Sequence, residues 1–97
     1  MTEFDDLKSS YIYTMHCGLA LGAGYNEAKH GNDILHKFCE NLIDNSNYND
    51  LCKMNMKNEL EVIKEALSQE IESYYKRWIG AFYLLKMYER RQKLWEW

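Results

Sequence analysis

Residues 60–95 read LEVIKEALSQEIESYYKRWIGAFYLLKMYERRQKLW. Leu60, Leu67, Tyr74, Ala81, Tyr88 and Trp95 recur at every seventh position, and Ile71, Trp78, Leu85 and Gln92 fill the places between. Apolar residues spaced alternately by fours and threes stack along one side of an α-helix. The stretch therefore predicts a single helix carrying an a/d seam of about five heptads. Tyr75, Ile79, Phe82 and Leu84 widen that seam, so more than one neighbouring helix is needed to cover it. Gly80 within the seam permits a close approach or a mild bend. Extended back to residue 51, the helix covers 51–95 and is roughly 65 Å long, the alternative being a break near Asn55 to Asn58 that permits a compact four-helix monomer.

Working backward, Asn45 to Asp50 is the clearest loop, because Asn, Ser and Asp side chains compete with the helical backbone for hydrogen bonds. A helix over 33–44 precedes it, with Ile34, Leu35, Phe38, Leu42 and Ile43 expected to point inward. Gly31-Asn32-Asp33 reads as the stop of one helix and the cap of the next. The first helix is expected over 2–30. Thr2 caps it, Asp5 returns a carboxylate, and Phe4, Leu7, Tyr11, Met15, Gly18, Gly22 and Tyr25 share a face. Gly18 and Gly22 lie four apart, which suits close approach of another helix, and the alternative is a break near Gly22 to Gly24.

Composition agrees with a helical chain. Proline is absent from all 97 residues, so nothing imposes the strongest helix break, and sheet-rich folds with many Pro and Gly turns are disfavoured. A chain of this length forms one small domain with a modest core, and association with a second copy is a natural supplement. The net charge of −3 argues against a dedicated nucleic-acid binder, and its distribution is uneven. Residues 1–50 hold three Lys against eight Asp and Glu, whereas residues 51–97 hold nine Lys and Arg against seven Glu. Along the long helix Glu59, Glu61, Glu65, Glu70 and Glu72 come first, and Lys86, Arg90, Arg91 and Lys93 come last, an order that complements the helix dipole.

Cys17, Cys39 and Cys52 are odd in number and lack a framework spacing, so they read as reduced thiols. The acidic N-terminus does not resemble a secretory signal, and a cytoplasmic location is expected. The charge-free run from Ser9 to Asn26 holds too many polar residues and glycines for a membrane span, so no stable insertion is expected.

Residues able to do chemistry are scattered. His30, His36, Cys39 and Cys52 match no closed zinc spacing, and His30 and His36 flank the expected turn. Glu27 and His30 form a single Glu-x-x-His pair where di-iron bundles need two. Cys17 beside His16 points about 100° away from it on a helix, too far for a nucleophile and its base. Glu61 and Glu65, with Lys64 between them, look like a solvated face; metal-dependent chemistry would need a second acidic cluster, for which Glu40 and Asp44 are the candidates. No catalytic residue, metal or cofactor is therefore assigned.

The sequence reading is all-α: a small helical bundle with two N-terminal helices packed on one long C-terminal helix and completed by dimerisation. Leu67, Ile71, Tyr74, Trp78, Ala81, Leu85 and Tyr88 are the expected oligomer interface. Arg90, Arg91, Lys93, Trp95 and Trp97 are the expected partner-binding residues, because Trp, Tyr and Arg dominate protein interfaces. The expected role is non-catalytic: an inhibitor or regulator of the phage or mobile-element kind that binds and occludes a host protein. Two alternatives stand beside it. One is a small helical nucleic-acid-binding regulator using the basic-aromatic C-terminus, and the other a metal-dependent enzyme subunit of acidic-helix type.

Overall fold

A computed structural model describes residues 2–95, apart from the side chains at 78–83, 86 and 92–95. The described residues form three helices and no strand: α1 (Glu3–Ala20), α2 (Tyr25–Asp44) and α3 (Asp50–Trp95). No helix among them is long and apolar enough to cross a membrane.

Helix α1 starts as the sequence implies. The Thr2 hydroxyl accepts the Asp5 amide at 3.1 Å and the Asp5 carboxylate accepts the Thr2 amide at 3.3 Å, a closed capping box. Its end differs from the expected helix over 2–30. Gly22 adopts φ +91°, the left-handed conformation that an L side chain resists. The Gly22 amide donates to the Leu19 carbonyl at 3.1 Å and the Ala23 amide to the Gly18 carbonyl at 3.0 Å. This pair of bonds closes a Schellman motif and stops the helix at Ala20. Gly22 thus ends α1. Nor does Gly18 mark a close helix approach, since a methyl group added there would meet nothing within 4 Å.

With the break at Gly22, α2 begins at Tyr25 and runs straight through Gly31-Asn32-Asp33, the expected stop. Asn32 does not cap a new helix because its side chain is buried and bonded across the bundle instead. That placement also turns α2 from the expected face. Ala28, Asn32, His36, Cys39 and Ile43 line its buried side, while Ile34, Phe38 and Leu42 point outward. Helix α3 is capped by Asn49, whose side-chain oxygen accepts the Cys52 amide at 2.8 Å.

The three helices run up, down and up. Helix α2 lies antiparallel to α3, from Asp44 paired with Lys57 near the loop to Tyr25 bonded to Glu72 at the far end. Helix α1 runs alongside α3 in the same direction, with Lys8 3.0 Å from Glu59 and His16 2.9 Å from Glu70. Tyr11, Met15 and Leu19 of α1 meet Ala28, Cys39 and Ile43 of α2 and Leu60, Leu67 and Ile71 of α3 in one apolar core. Leu67 and Ile71, expected at an oligomer interface, are therefore spent within the chain, at 4% and 1% exposure.

Unequal helix lengths shape the molecule. Helices α1 and α2 have 18 and 20 residues, but α3 has 46, and the whole extends 73 Å by 21 Å by 18 Å. Among the described side chains, the core and the residues packed on it reach Tyr75 on α3, whose hydroxyl donates to the Ala23 carbonyl. Beyond Tyr75 the helix continues for about 30 Å.

Two glycine substitutions should have opposite signs. Gly18→Ala fills open space in a helix interior and should raise stability by up to about 1 kcal/mol. Gly22→Ala meets no steric obstacle but must hold φ +91°, and should lower stability by about 1–2 kcal/mol. Urea denaturation of both variants checks the pair.

Candidate functional site

The interior of the bundle holds one polar network. Asn32, 3% exposed, projects from α2 between the other helices. Its side-chain oxygen accepts the Tyr11 hydroxyl from α1, and its amide donates to the Lys64 carbonyl of α3 at 3.1 Å. Because a helical carbonyl has a second lone pair, Lys64 can accept this bond without loss to its own helix. Burial above all, and then the neighbouring Cys39, Asp33 and Glu61, hold the Tyr11 phenol well above its usual pKa, so it remains a neutral donor. Burial likewise raises the Cys39 thiol, which makes it a packing residue and a poor nucleophile.

One turn along α2, His36 is 5% exposed and faces α3. Its Nε2 lies 3.2 Å from Oε1 of Glu40, one turn further on α2, and 3.8 Å from Oε1 of Glu61 on α3. Neither approach makes a hydrogen bond, so the buried nitrogen has no partner. The three donor atoms lie within 4.8 Å of one another, and this is the one such group of His, Cys, Asp or Glu among the described residues. Glu40 and Glu61 keep 31% and 62% of their side chains exposed, so the cluster opens to solvent on one side.

The other sequence candidates are not brought together. His30 is exposed on α2, Cys52 is exposed on α3, and Cys17, Cys39 and Cys52 are all free thiols. His30 and His36 do not flank a turn but lie on one continuous helix. His16 pairs with Glu70 rather than with Cys17. Asp44 pairs with Lys57, while Glu40, its companion in the suspected acidic pair, does meet Glu61. The His36, Glu40 and Glu61 grouping was missed because it depends on pairing α2 with α3. The register that sets Tyr25 beside Glu72 and Asp33 beside Lys64 also sets His36 beside Glu61, and it becomes visible only in the folded hairpin.

A second feature is apolar. On α3 beyond the core, Leu84, Leu85, Met87 and Tyr88 are exposed, Leu85 at 57% and Tyr88 at 60%. Tyr74, at the edge of the covered region, is 39% exposed. Arg90 and Arg91 follow on the exposed surface of the same segment. The side chains of Trp78, Ile79, Ala81, Phe82, Lys86, Gln92, Lys93 and Trp95, and the whole of Trp97, lie outside the described residues. On α2 the outward row of Ile34, Phe38 and Leu42 adds a second apolar strip, with Phe38 57% exposed. Sequence reading had placed that row in the core.

Comparison with models of known protein families, with curated proteins and with solved structures finds no match to this chain. The geometry of the chain itself carries the functional reading.

The Asn32 network should be cooperative. Tyr11→Phe leaves the Asn32 oxygen without its donor, and Asn32→Ala removes both bonds. Each should lower stability by about 1–3 kcal/mol. The double variant should lose less than the sum, since the second change removes a partner already orphaned. A urea-denaturation double-mutant cycle measures this coupling.

Proposed function

We propose that the protein is a non-catalytic interaction module that dimerises through the distal half of α3 and presents its basic-aromatic end to a host protein, which it occludes. The observation that carries this reading is the apolar seam of α3, whose described residues are buried as far as Ile71 and exposed again at Leu85 and Tyr88. Within the bundle the seam residues Leu60, Leu67 and Ile71 are buried, whereas Leu85 and Tyr88 of the same register are exposed. A helix with an uncovered apolar stripe gains free energy by finding an equivalent one, and a second copy supplies it in matching register.

The charge pattern supports a defined place for the further partner. Acidic residues are concentrated on the bundle and on the first turns of α3, while Arg90 and Arg91 stand at its far end. Arginine flanked by exposed apolar residues is the composition of an interface hot spot. Small size, abundant Asn and the absence of any catalytic motif fit an inhibitor or regulator of the phage or mobile-element type.

The test begins with light scattering of the purified chain. Wild type should have twice the chain mass. Leu85→Glu should weaken self-association by at least about a hundredfold, because the lost burial and the added charge count once per copy in a symmetric pair. Circular dichroism should show the bundle unchanged. Arg90→Ala with Arg91→Ala should leave the dimer intact and abolish capture of the host protein that wild type retains. Monomeric wild type, or a Leu85→Glu variant still dimeric, would contradict the reading. Binding that collapses steeply with salt and follows added nucleic acid would replace it with a nucleic-acid role.

A further inference from the structure

We propose that His36, Glu40 and Glu61 form a binding site for one divalent transition-metal ion, of the zinc class, bridging α2 and α3. The proposal is independent of dimerisation, since all three residues belong to the bundle of a single chain.

The buried ring is the first part of the argument. An imidazole nitrogen withdrawn from water normally finds a hydrogen-bond partner, and the Nε2 of His36 has none although His36 is 5% exposed. Carboxylate oxygens lie 3.2 Å and 3.8 Å from it without making a hydrogen bond. Ligands held about 2.0–2.2 Å from a shared ion lie roughly 3–3.5 Å apart when adjacent, so the 3.2 Å approach already fits and the Glu61 side chain must move inward to close the set.

Charge is the second part. Glu40 and Glu61 bring two carboxylates toward one imidazole from different helices. Of the lysines on α3 nearby, Lys57 pairs with Asp44 and also feels the charge of Glu40, and Lys64 lies 3.4 Å from Asp33. Two carboxylates converging on a buried ring nitrogen are stabilised by a cation placed between them. Imidazole with carboxylates suits zinc and its first-row neighbours better than magnesium, which favours oxygen ligands and retains its waters.

Access and rigidity complete the site. His36 and Glu40 are four residues apart, so both leave the same side of α2, and the Asn32 bond to Lys64 holds that side against α3 one turn away. The exposed side of Glu61 gives an ion a route in and leaves room for water in the remaining coordination positions.

The experiment is titration of the chelator-treated full chain with Zn2+ alone, followed by calorimetry and by the imidazole NMR signals of His36. One ion per chain should bind, and the His36 ring signals should move. Glu61→Gln and Glu40→Gln alter solvent-facing groups and should leave the helical fold intact. Each should weaken Zn2+ binding by more than about a hundredfold, since even the outer-shell partners of metal ligands contribute ten- to a hundredfold. Mg2+ should bind far more weakly. His16→Gln, which removes the exposed pair with Glu70, should change nothing. Absence of binding, unchanged affinity in both glutamine variants, or Zn2+ binding that leaves the His36 signals in place would overturn the proposal.

Discussion

Asn32 is the residue on which the arrangement of the three helices depends. It is a polar side chain at the centre of an apolar core, accepting from Tyr11 on α1 and donating to the Lys64 carbonyl on α3. Left unbonded, it would oppose folding by about 1–3 kcal/mol, so only the register that satisfies it is stable. On apolar content alone α2 could equally sit rotated by roughly 120°, because Ile34, Phe38 and Leu42 are at least as hydrophobic as the residues now buried. Hydrogen bonding to Asn32 decides against that rotation. The surface ion pairs along the bundle are exposed and add little energy, but they agree with the same register.

Two functional consequences follow from that one placement. Rotation of α2 carries His36 and Glu40 toward α3, where Glu61 meets them, and turns Ile34, Phe38 and Leu42 outward. The short α1 and α2, limited by the Gly22 turn and the Asn45 to Asn49 loop, meet α3 among the described side chains as far as Tyr75. The same core that closes the bundle thus leaves an apolar seam unfinished at one end. A polar cluster on the covered half and an apolar segment on the uncovered half are separate resources on one rod-shaped molecule.

Much of this was legible in the residues. The capping box at Thr2, the loop beginning at Asn45 and the seam from Leu60 onward follow from local chemistry, which periodicity and side-chain type report directly. The end of α1 was less so, because Gly22 is compatible with a helix interior or a left-handed stop, and the choice depends on where Tyr25 and Tyr75 meet. On α2, Ile43 is buried and Leu35 packs on the core as expected, while Ile34, Phe38 and Leu42 face outward. Hydrophobicity favoured Ile34 and Phe38, but the register was set by a tertiary bond that no local pattern encodes. For the same reason His36 and Glu61, 25 positions apart, could not be joined until the hairpin pairing was known. Leu67 and Ile71 were assigned to a dimer because the reach of the two short helices was not known. What the sequence did convey was that α3 exceeds its cover.

The central claim is that one half of α3 is stabilised by its own chain and the other by a second copy. Amide hydrogen exchange along α3, followed as a function of protein concentration, tests this most directly. Amides at 56–71 should be strongly protected at every concentration, because the intramolecular core holds them. Amides at 84–91 should exchange quickly in dilute monomer and become protected as concentration rises through the association midpoint. Protection at 84–91 that does not change with concentration would contradict the account.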